Sequence, residues 1–216
     1  MKSKKNLLEQ LDNLPHFTKS TIYQLGSQLG LKNSTVNTYI SRFLRRKEIL
    51  PLKRGLYISA EFFSKNKSDI SYSLYLANVI RTPSYVSSWT ALQYYNLATE
   101  AIRSITSVTP KVTRGYETRA GTFSYHSIQK ELFSDYSLVK GLPATHRLPQ
   151  AGKFDFFIAS PSKALFDLLY FRTRQFRGVN FENVEKMVEE LRIDIDEMDE
   201  AERNKFYEKV KTYIHE

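Results

Sequence analysis

The sequence predicts an α+β protein of two domains. Its first 60 residues hold helical patterns that end in a short pair of strands, and residues 68–216 mix helical with alternating strand patterns. Between them, residues 64–68 (SKNKS) carry no apolar side chain. A chain of 216 residues with 41% hydrophobic content can bury a core in each part. We therefore expect a domain at residues 1–60, a linker at 61–67 and a larger domain at 68–216.

The first domain is predicted to begin with two short helices. The apolar residues of the first recur on one helical face: Leu7, Leu8, Leu11 and Leu14. Pro15 ends that helix, because proline cannot continue the helical hydrogen bonds. The second helix has apolar residues at the same spacing: Ile22, Leu25 and Leu29. Gly30 then supplies a tight turn, so a third helix can cross the second steeply.

The third helix has an apolar stripe and an opposite polar face. Asn33 or Ser34 is placed to cap its N-terminus. The stripe comprises Val36, Ile40, Phe43 and Leu44. The other face is polar or basic: Thr35, Asn37, Thr38, Ser41, Arg42, Arg45 and Arg46. A helix of ~13 residues is ~20 Å long and ~10 Å wide, which fits the ~12 Å major groove of DNA. The pair of helices is therefore predicted to be a DNA-binding helix-turn-helix.

A β-hairpin is predicted to follow that helix. Two β-favouring runs, 49–52 and 56–58, are separated by Lys53, Arg54 and Gly55, so two cations stand at the tip. A basic-tipped hairpin in this place is the wing of a winged helix-turn-helix, and Lys53 and Arg54 are expected to contact DNA phosphates. The alternatives are a helical module with a solvated basic face or a winged helix that binds protein. The basic character of helix and hairpin together favours DNA.

The charge distribution also indicates a polyanionic partner. The formal net charge is +9, and residues 1–60 hold 11 Lys+Arg against 3 Asp+Glu, a net of +8. Residues 181–216 hold 6 against 12, a net of −6. Nucleic acid fits a positive field of this kind. Without cysteine, disulfides and thiolate metal sites are excluded, and without an apolar run of ~20 residues or a signal peptide we expect a cytoplasmic protein that does not enter membranes.

The second domain is predicted to be mixed α/β. Helical patterns cover residues 70–80, 89–95, 161–171, 181–191 and 199–214. A strand begins at Tyr85, two or three strands lie within 102–128, and another covers 154–158. Turns are expected at 114–116 and at Gly121. Caps are expected from Ser87 or Ser88 and from Ser160, where Pro161 takes the first helical position.

Two segments of this domain resemble the AbiEi antitoxins of abortive-infection AbiE, or type IV, toxin-antitoxin systems. The motif YxSxxSAL is matched by Tyr85, Ser87, Thr90, Ala91 and Leu92, with Thr90 in place of the usual serine. The motif SPxKALxDLL is matched by Ser160, Pro161, Lys163, Ala164, Leu165, Asp167, Leu168 and Leu169, with Ser162 where glutamate is common. Gly55-Leu56-Tyr57 and residues 105–112 add to a resemblance that spans residues 18–172.

The resemblance implies an antitoxin and autorepressor. In that family the winged helix binds the operon's own promoter, and the C-terminal domain counteracts a nucleotidyltransferase-like toxin. We expect a monomer in solution that occupies inverted repeats with one winged helix per half-site, because one helix reads too few base pairs for specificity. The alternative is a winged-helix transcription factor whose second domain senses a ligand or forms dimers.

No pattern in the sequence predicts an enzyme or a cofactor. The four histidines are widely separated and lack metal-ligand spacing: His16, His126, His146 and His215. Asp155, Lys163 and Asp167 could form a nuclease-like set, but structural ion pairing is favoured. The aromatic residues Tyr72, Tyr75, Trp89, Tyr94 and Tyr95 are expected in the core, with a base-stacking surface as the alternative.

Overall fold

A computed structural model describes residues 2–99, 104–141 and 153–214, and it shows a mixed α+β protein. The N-terminal elements are α1 Lys2–Leu11, β1 Phe17–Thr18, α2 Lys19–Gln28, α3 Asn33–Arg45, β2 Ile49–Lys53 and β3 Leu56–Ser59. The remaining helices are α4 Ala60–Asn66, α5 Ile70–Ile80, α6 Ser88–Tyr94, α7 Pro161–Arg172, α8 Phe181–Glu190 and α9 Glu200–Lys211. The remaining strands are β4 Tyr85–Val86, β5 Ser104–Thr109, β6 Arg114–Thr118, β7 Gly121–Ser127, β8 Tyr136–Val139 and β9 Phe156–Ala159.

The turn between α2 and α3 forms at the predicted glycine. Gly30 adopts a φ of 69°, a left-handed value that glycine takes without steric cost. The backbone N–H of Leu31 donates to the carbonyl oxygen of Gly26 and closes α2. The prediction that Asn33 or Ser34 caps α3 is wrong: Lys32 is the capping residue, and it makes no side-chain hydrogen bond there. The turn is so short that Asn33 already lies within the helix.

Helices α2 and α3 approach closely at a glycine. A β-carbon added to Gly26 would lie 2.5 Å from Cγ2 of Val36 on α3. Val36 is fully buried and is stiff, because a β-branched side chain in a helix has one strongly preferred rotamer. The crossing of the two helices therefore depends on the absence of a side chain at position 26.

The hairpin contributes side chains to both hydrophobic cores of the protein. Strand β3 lies between β1 and β2 in a three-stranded antiparallel sheet. Four buried side chains of the hairpin join the core that is formed mainly by residues 72–210: Leu50, Leu52, Leu56 and Ile58. A separate, smaller core lies between α1, α2 and α3, and Ile49 of the hairpin joins it. The two predicted domains consequently share packing through the hairpin.

The residues predicted as a linker are mostly helical. Helix α4 covers 60–66, and Ser59 caps it by accepting hydrogen bonds from the N–H groups of Glu61 and Phe62. Phe62 and Phe63 pack against the larger core, while the polar residues 64 and 65 face solvent. The connection is thus a helix that packs on the protein.

A six-stranded mixed sheet forms the centre of the second part, in the order β6-β7-β5-β4-β9-β8. Strands β5 and β7 are parallel, as are β4 and β9. Helices α5, α6 and α7 pack against its central strands. Residues 114–116, predicted as a turn, belong instead to β6 and pair with 123–125 of β7. Strands β6 and β7 form a hairpin whose turn lies at residues 119–120, so the turn follows Gly115 by several residues.

The two acidic C-terminal helices contribute to the core. Val184 and Val188 of α8 and Phe206 and Val210 of α9 are buried. Helix α9 packs against α7, and Glu202 accepts hydrogen bonds from the N–H and the hydroxyl of Ser162. Each helix thus has one exposed, charged face and one buried, apolar face. Among the described residues, no helix combines the length and apolar content that a bilayer crossing requires.

Gly26→Ala should lower the free energy of unfolding by about 1 kcal/mol, because the overpacking exceeds the gain in helix propensity. In a Val36→Ala background the same change should be neutral or stabilising. Urea denaturation of the four proteins would measure this double-mutant cycle. Equal losses in both backgrounds would contradict the close contact between Gly26 and Val36.

Candidate functional site

The polar face of α3 is open to solvent. We call it the α3 surface: Thr35, Asn37, Thr38, Ser41, Arg42, Arg45 and Arg46. Thr35 is half-buried and the other six are exposed. The opposite side of the helix buries Val36, Ile40 and Phe43 in the smaller core. The apolar stripe thus holds the helix in place and presents one polar face outward.

Hydrogen bonds organise the polar side chains at the centre of this surface. The hydroxyl of Tyr23 on α2 donates to Oδ1 of Asn37 at 2.6 Å, which leaves the Asn37 amide N–H groups pointing away from α2. The hydroxyls of Thr38 and Ser41 donate to the backbone carbonyls of Ser34 and Asn37. Their oxygens keep acceptor capacity toward solvent. Helical periodicity carries no signal for this role of Tyr23, because the hydrogen bond joins two different helices.

The three arginines extend this surface toward the C-terminal end of α3. Arg42 and Arg45 lie in its last turn, where positive charge is favourable beside the carbonyl end of a helix. Arg46 lies 3.9 Å from a carboxylate oxygen of Glu48, and its side chain is 62% exposed. Arg42 and Arg45 are exposed as well. The α3 surface is therefore cationic and accessible.

The two cations at the hairpin tip differ in their surroundings. Nζ of Lys53 donates to the carbonyl oxygen of Ile80, at the end of α5, at 2.5 Å. Arg54 is exposed in the turn, next to Gly55 with a φ of 77°. Both remain candidates for phosphate contacts. Lys53 uses one of its three N–H donors here and keeps two, and Arg54 is exposed.

The two motifs meet in a buried hydrogen-bond network. Asp167 on α7 and Lys163, one turn earlier, form an ion pair with no exposure to solvent. The hydroxyl of Ser87 donates to Oδ2 of Asp167 at 2.7 Å, and the hydroxyl of Tyr85 donates to the same oxygen at 3.1 Å. Ser87 precedes α6 but makes no capping hydrogen bond there, since its hydroxyl points to Asp167. Four motif residues, from β4, the residue before α6 and α7, thus form one cluster.

Burial controls the ionisation of this network. Desolvation raises the pKa of the Asp167 carboxyl, and the ammonium of Lys163 with the hydroxyls of Ser87 and Tyr85 opposes that change. Desolvation also lowers the pKa of Lys163, and the charge of Asp167 opposes it. Neither group reaches solvent, so neither can meet a substrate in this conformation. The favoured prediction of structural ion pairing at these residues is confirmed.

The other reactive groups considered from the sequence lie apart from this cluster. Asp155 is exposed and accepts a hydrogen bond from the N–H of Gly141. His16 lies 2.6 Å from the hydroxyl of Tyr75, measured from Nδ1, and burial lowers the pKa of its imidazole. His146 and His215 lie outside the described residues. Within those residues, no three potential ligands of the His, Cys, Asp or Glu type lie together.

The predicted core aromatic residues are not exposed. Tyr72 is buried, and the other four are half-buried: Tyr75, Trp89, Tyr94 and Tyr95. Tyr72 and Tyr75 surround Phe154, with ring centroids at 4.7 and 5.6 Å. A stacking platform for bases would need open ring faces, so core packing describes these rings better.

No protein-family model matches this chain, and no curated protein matches it.

Asp167→Asn should lower the free energy of unfolding by about 3–5 kcal/mol, because it leaves the Lys163 ammonium buried without its counter-ion. Adding Lys163→Met should recover part of that loss, since the uncompensated charge is then removed. Urea denaturation would measure both variants.

The exposed pair Lys65–Glu61 has the same i,i+4 spacing and provides a matched control. Glu61→Gln should change stability little, because water screens an exposed pair. An Asp167→Asn variant as stable as Glu61→Gln would show that the Lys163–Asp167 pair is not desolvated in the folded protein.

Proposed function

We propose that this protein binds double-stranded DNA through a winged helix-turn-helix formed by α1 to β3. The observation that carries the proposal is the exposed cationic face of α3, which is held by an apolar stripe and followed by a hairpin with two cations at its tip. The order of helix, strand, two helices and hairpin is that of winged-helix DNA readers. Helix α3 has the dimensions to enter a major groove.

Within this proposal, the α3 surface divides into base-reading and phosphate-binding parts. Asn37, Thr38, Ser41 and Arg42 are the candidates for base edges, and Arg can donate two hydrogen bonds to guanine. Arg45, Arg46 and the hairpin cations are the candidates for phosphates, where each contact releases counterions. Tyr23 supports this division by orienting the amide of Asn37.

We propose further that the DNA target is the promoter of the protein's own operon and that the protein is an antitoxin. The resemblance to the AbiEi antitoxins supports this function, and it implies a nucleotidyltransferase-like toxin as the functional partner. One protein per half-site of an inverted repeat would give the binding its specificity. The second part of the chain would then counteract the toxin.

Arg42→Ala should weaken binding to promoter DNA by about 1–3 kcal/mol and relax its sequence preference. Arg42→Lys keeps the charge but loses the bidentate geometry, so it should bind phosphates well and still lose sequence preference. Fluorescence anisotropy with promoter and scrambled duplexes at several salt concentrations would test both. Equal discrimination by wild type and Arg42→Lys would remove Arg42 from the base-reading group.

A double variant, Arg42→Ala with Arg45→Ala, should lose promoter control yet still rescue cells from the adjacent toxin, because both side chains lie on the surface of α3. Leu165→Asp should abolish rescue, since it buries a charge at a fully buried position and costs several kcal/mol. DNA binding by Leu165→Asp should fall as well, because the hairpin shares that core.

The assay is growth after induction of the product of the adjacent reading frame, with each variant supplied from an independent promoter. Loss of repression then cannot be mistaken for loss of neutralisation. If the double arginine variant folds and is expressed but fails to rescue, the α3 surface itself takes part in neutralisation.

A further inference from the structure

One hydrogen bond joins the hairpin to the end of α5, and two more join the residues after α5 to the connection between β5 and β6. Nζ of Lys53 donates to the carbonyl oxygen of Ile80 at the end of α5, and Nζ of Lys111 donates to the carbonyl oxygen of Thr82, each at 2.5 Å. Nη2 of Arg81 donates to the carbonyl of Val112, also at 2.5 Å. In addition, β2 packs against β6. Cations from the hairpin, from the end of α5 and from the β5–β6 connection are thereby brought together.

We call this group the hairpin patch: Lys53, Arg54, Arg81, Lys111 and Arg114. Four of them are exposed, and Arg81 is half-buried. Arg114 lies over the ring of Tyr116, with its guanidinium carbon 5.5 Å from the ring centroid. Arg54 lies at the tip of the hairpin that follows α3. The patch therefore includes both cations of that tip.

The partners of these cations position them without neutralising them. A backbone carbonyl accepts a hydrogen bond but carries no net charge, so the positive charge of each side chain persists. The stretches that supply the patch, residues 49–59, 79–86 and 104–116, contain no Asp or Glu. Nε of Arg81 is buried and makes no hydrogen bond within the described part of the chain. A fixed, uncompensated group of cations is a site for a polyanion.

We infer that Arg81, Lys111 and Arg114 extend the phosphate contacts of the hairpin tip along the DNA backbone, so that the second part of the chain contributes to the DNA footprint. This inference rests on the proposed DNA binding. Phosphate suits the patch because Lys53 and Lys111 each retain N–H donors after bonding one carbonyl. The contact is with backbone and not with bases, so it adds affinity without sequence preference.

The test uses the full chain and its Lys111→Gln, Arg114→Gln variant. The control variant, Lys186→Gln with Arg192→Asn, also removes one lysine and one arginine charge; both control residues are exposed and lie at α8. Asn suits position 192, where φ is 51°. Binding is measured by anisotropy over a salt series, on mixed-sequence duplexes of about 12 base pairs, roughly 40 Å long, and about 30 base pairs.

On the longer duplex the patch variant should show a salt slope smaller by about 2, while the control variant keeps the wild-type slope. On the shorter duplex the salt slopes of the patch variant and the wild type should differ less, because less DNA backbone extends beyond the segment that α3 contacts. A wild-type slope for the patch variant on the longer duplex would overturn the inference. Absence of binding by the wild-type protein to both duplexes would instead overturn the proposed DNA binding.

Discussion

The buried carboxylate of Asp167 constrains how the β4 segment and α7 are placed relative to each other. An ion taken out of water costs several kcal/mol unless a counter-ion and hydrogen bonds compensate it. Lys163 supplies the charge from the preceding turn, and Ser87 and Tyr85 supply hydroxyls from a segment about 80 residues away. The hydroxyls must therefore lie within hydrogen-bond distance of the carboxylate, which fixes the position of the β4 segment relative to α7. A small displacement of either would leave the buried carboxylate without these two hydrogen bonds.

Much of the resemblance to the AbiEi antitoxins lies in the residues of this buried network. Tyr85, Ser87, Lys163 and Asp167 carry much of that resemblance, and all four are buried together. Their chemistry serves the interior of the fold and offers no surface to a partner. The proposed neutralisation of a toxin must therefore use other residues of the second part, and the motifs alone do not indicate which.

Local patterns predicted those elements whose apolar residues repeat with a helical or strand period. Helix α5 has the predicted bounds, and α7 begins at the predicted cap, Ser160. Elements that depend on distant pairing were missed. Strand β1 has two residues and exists because Phe17 and Thr18 pair with β3, about 40 residues later in the chain. Likewise, the exposed face of α3 followed from its sequence, but the hydrogen bond from Tyr23 to Asn37 joins two helices and has no local signature.

The hairpin fixes the position of the two parts of the chain relative to each other. Residue 60 marks a change of pattern in the sequence, but the hydrophobic core does not end there, since Leu52 and Ile58 pack with residues as distant as Val210 within one cluster. The hydroxyl of Tyr72 adds a hydrogen bond to the carbonyl of Pro15, in the loop between α1 and β1. Because the hairpin pairs with β1 on one side and enters the larger core on the other, it fixes the direction in which α3 faces relative to the six-stranded sheet. A DNA duplex on α3 and the hairpin tip would then meet the second part of the chain in one orientation only.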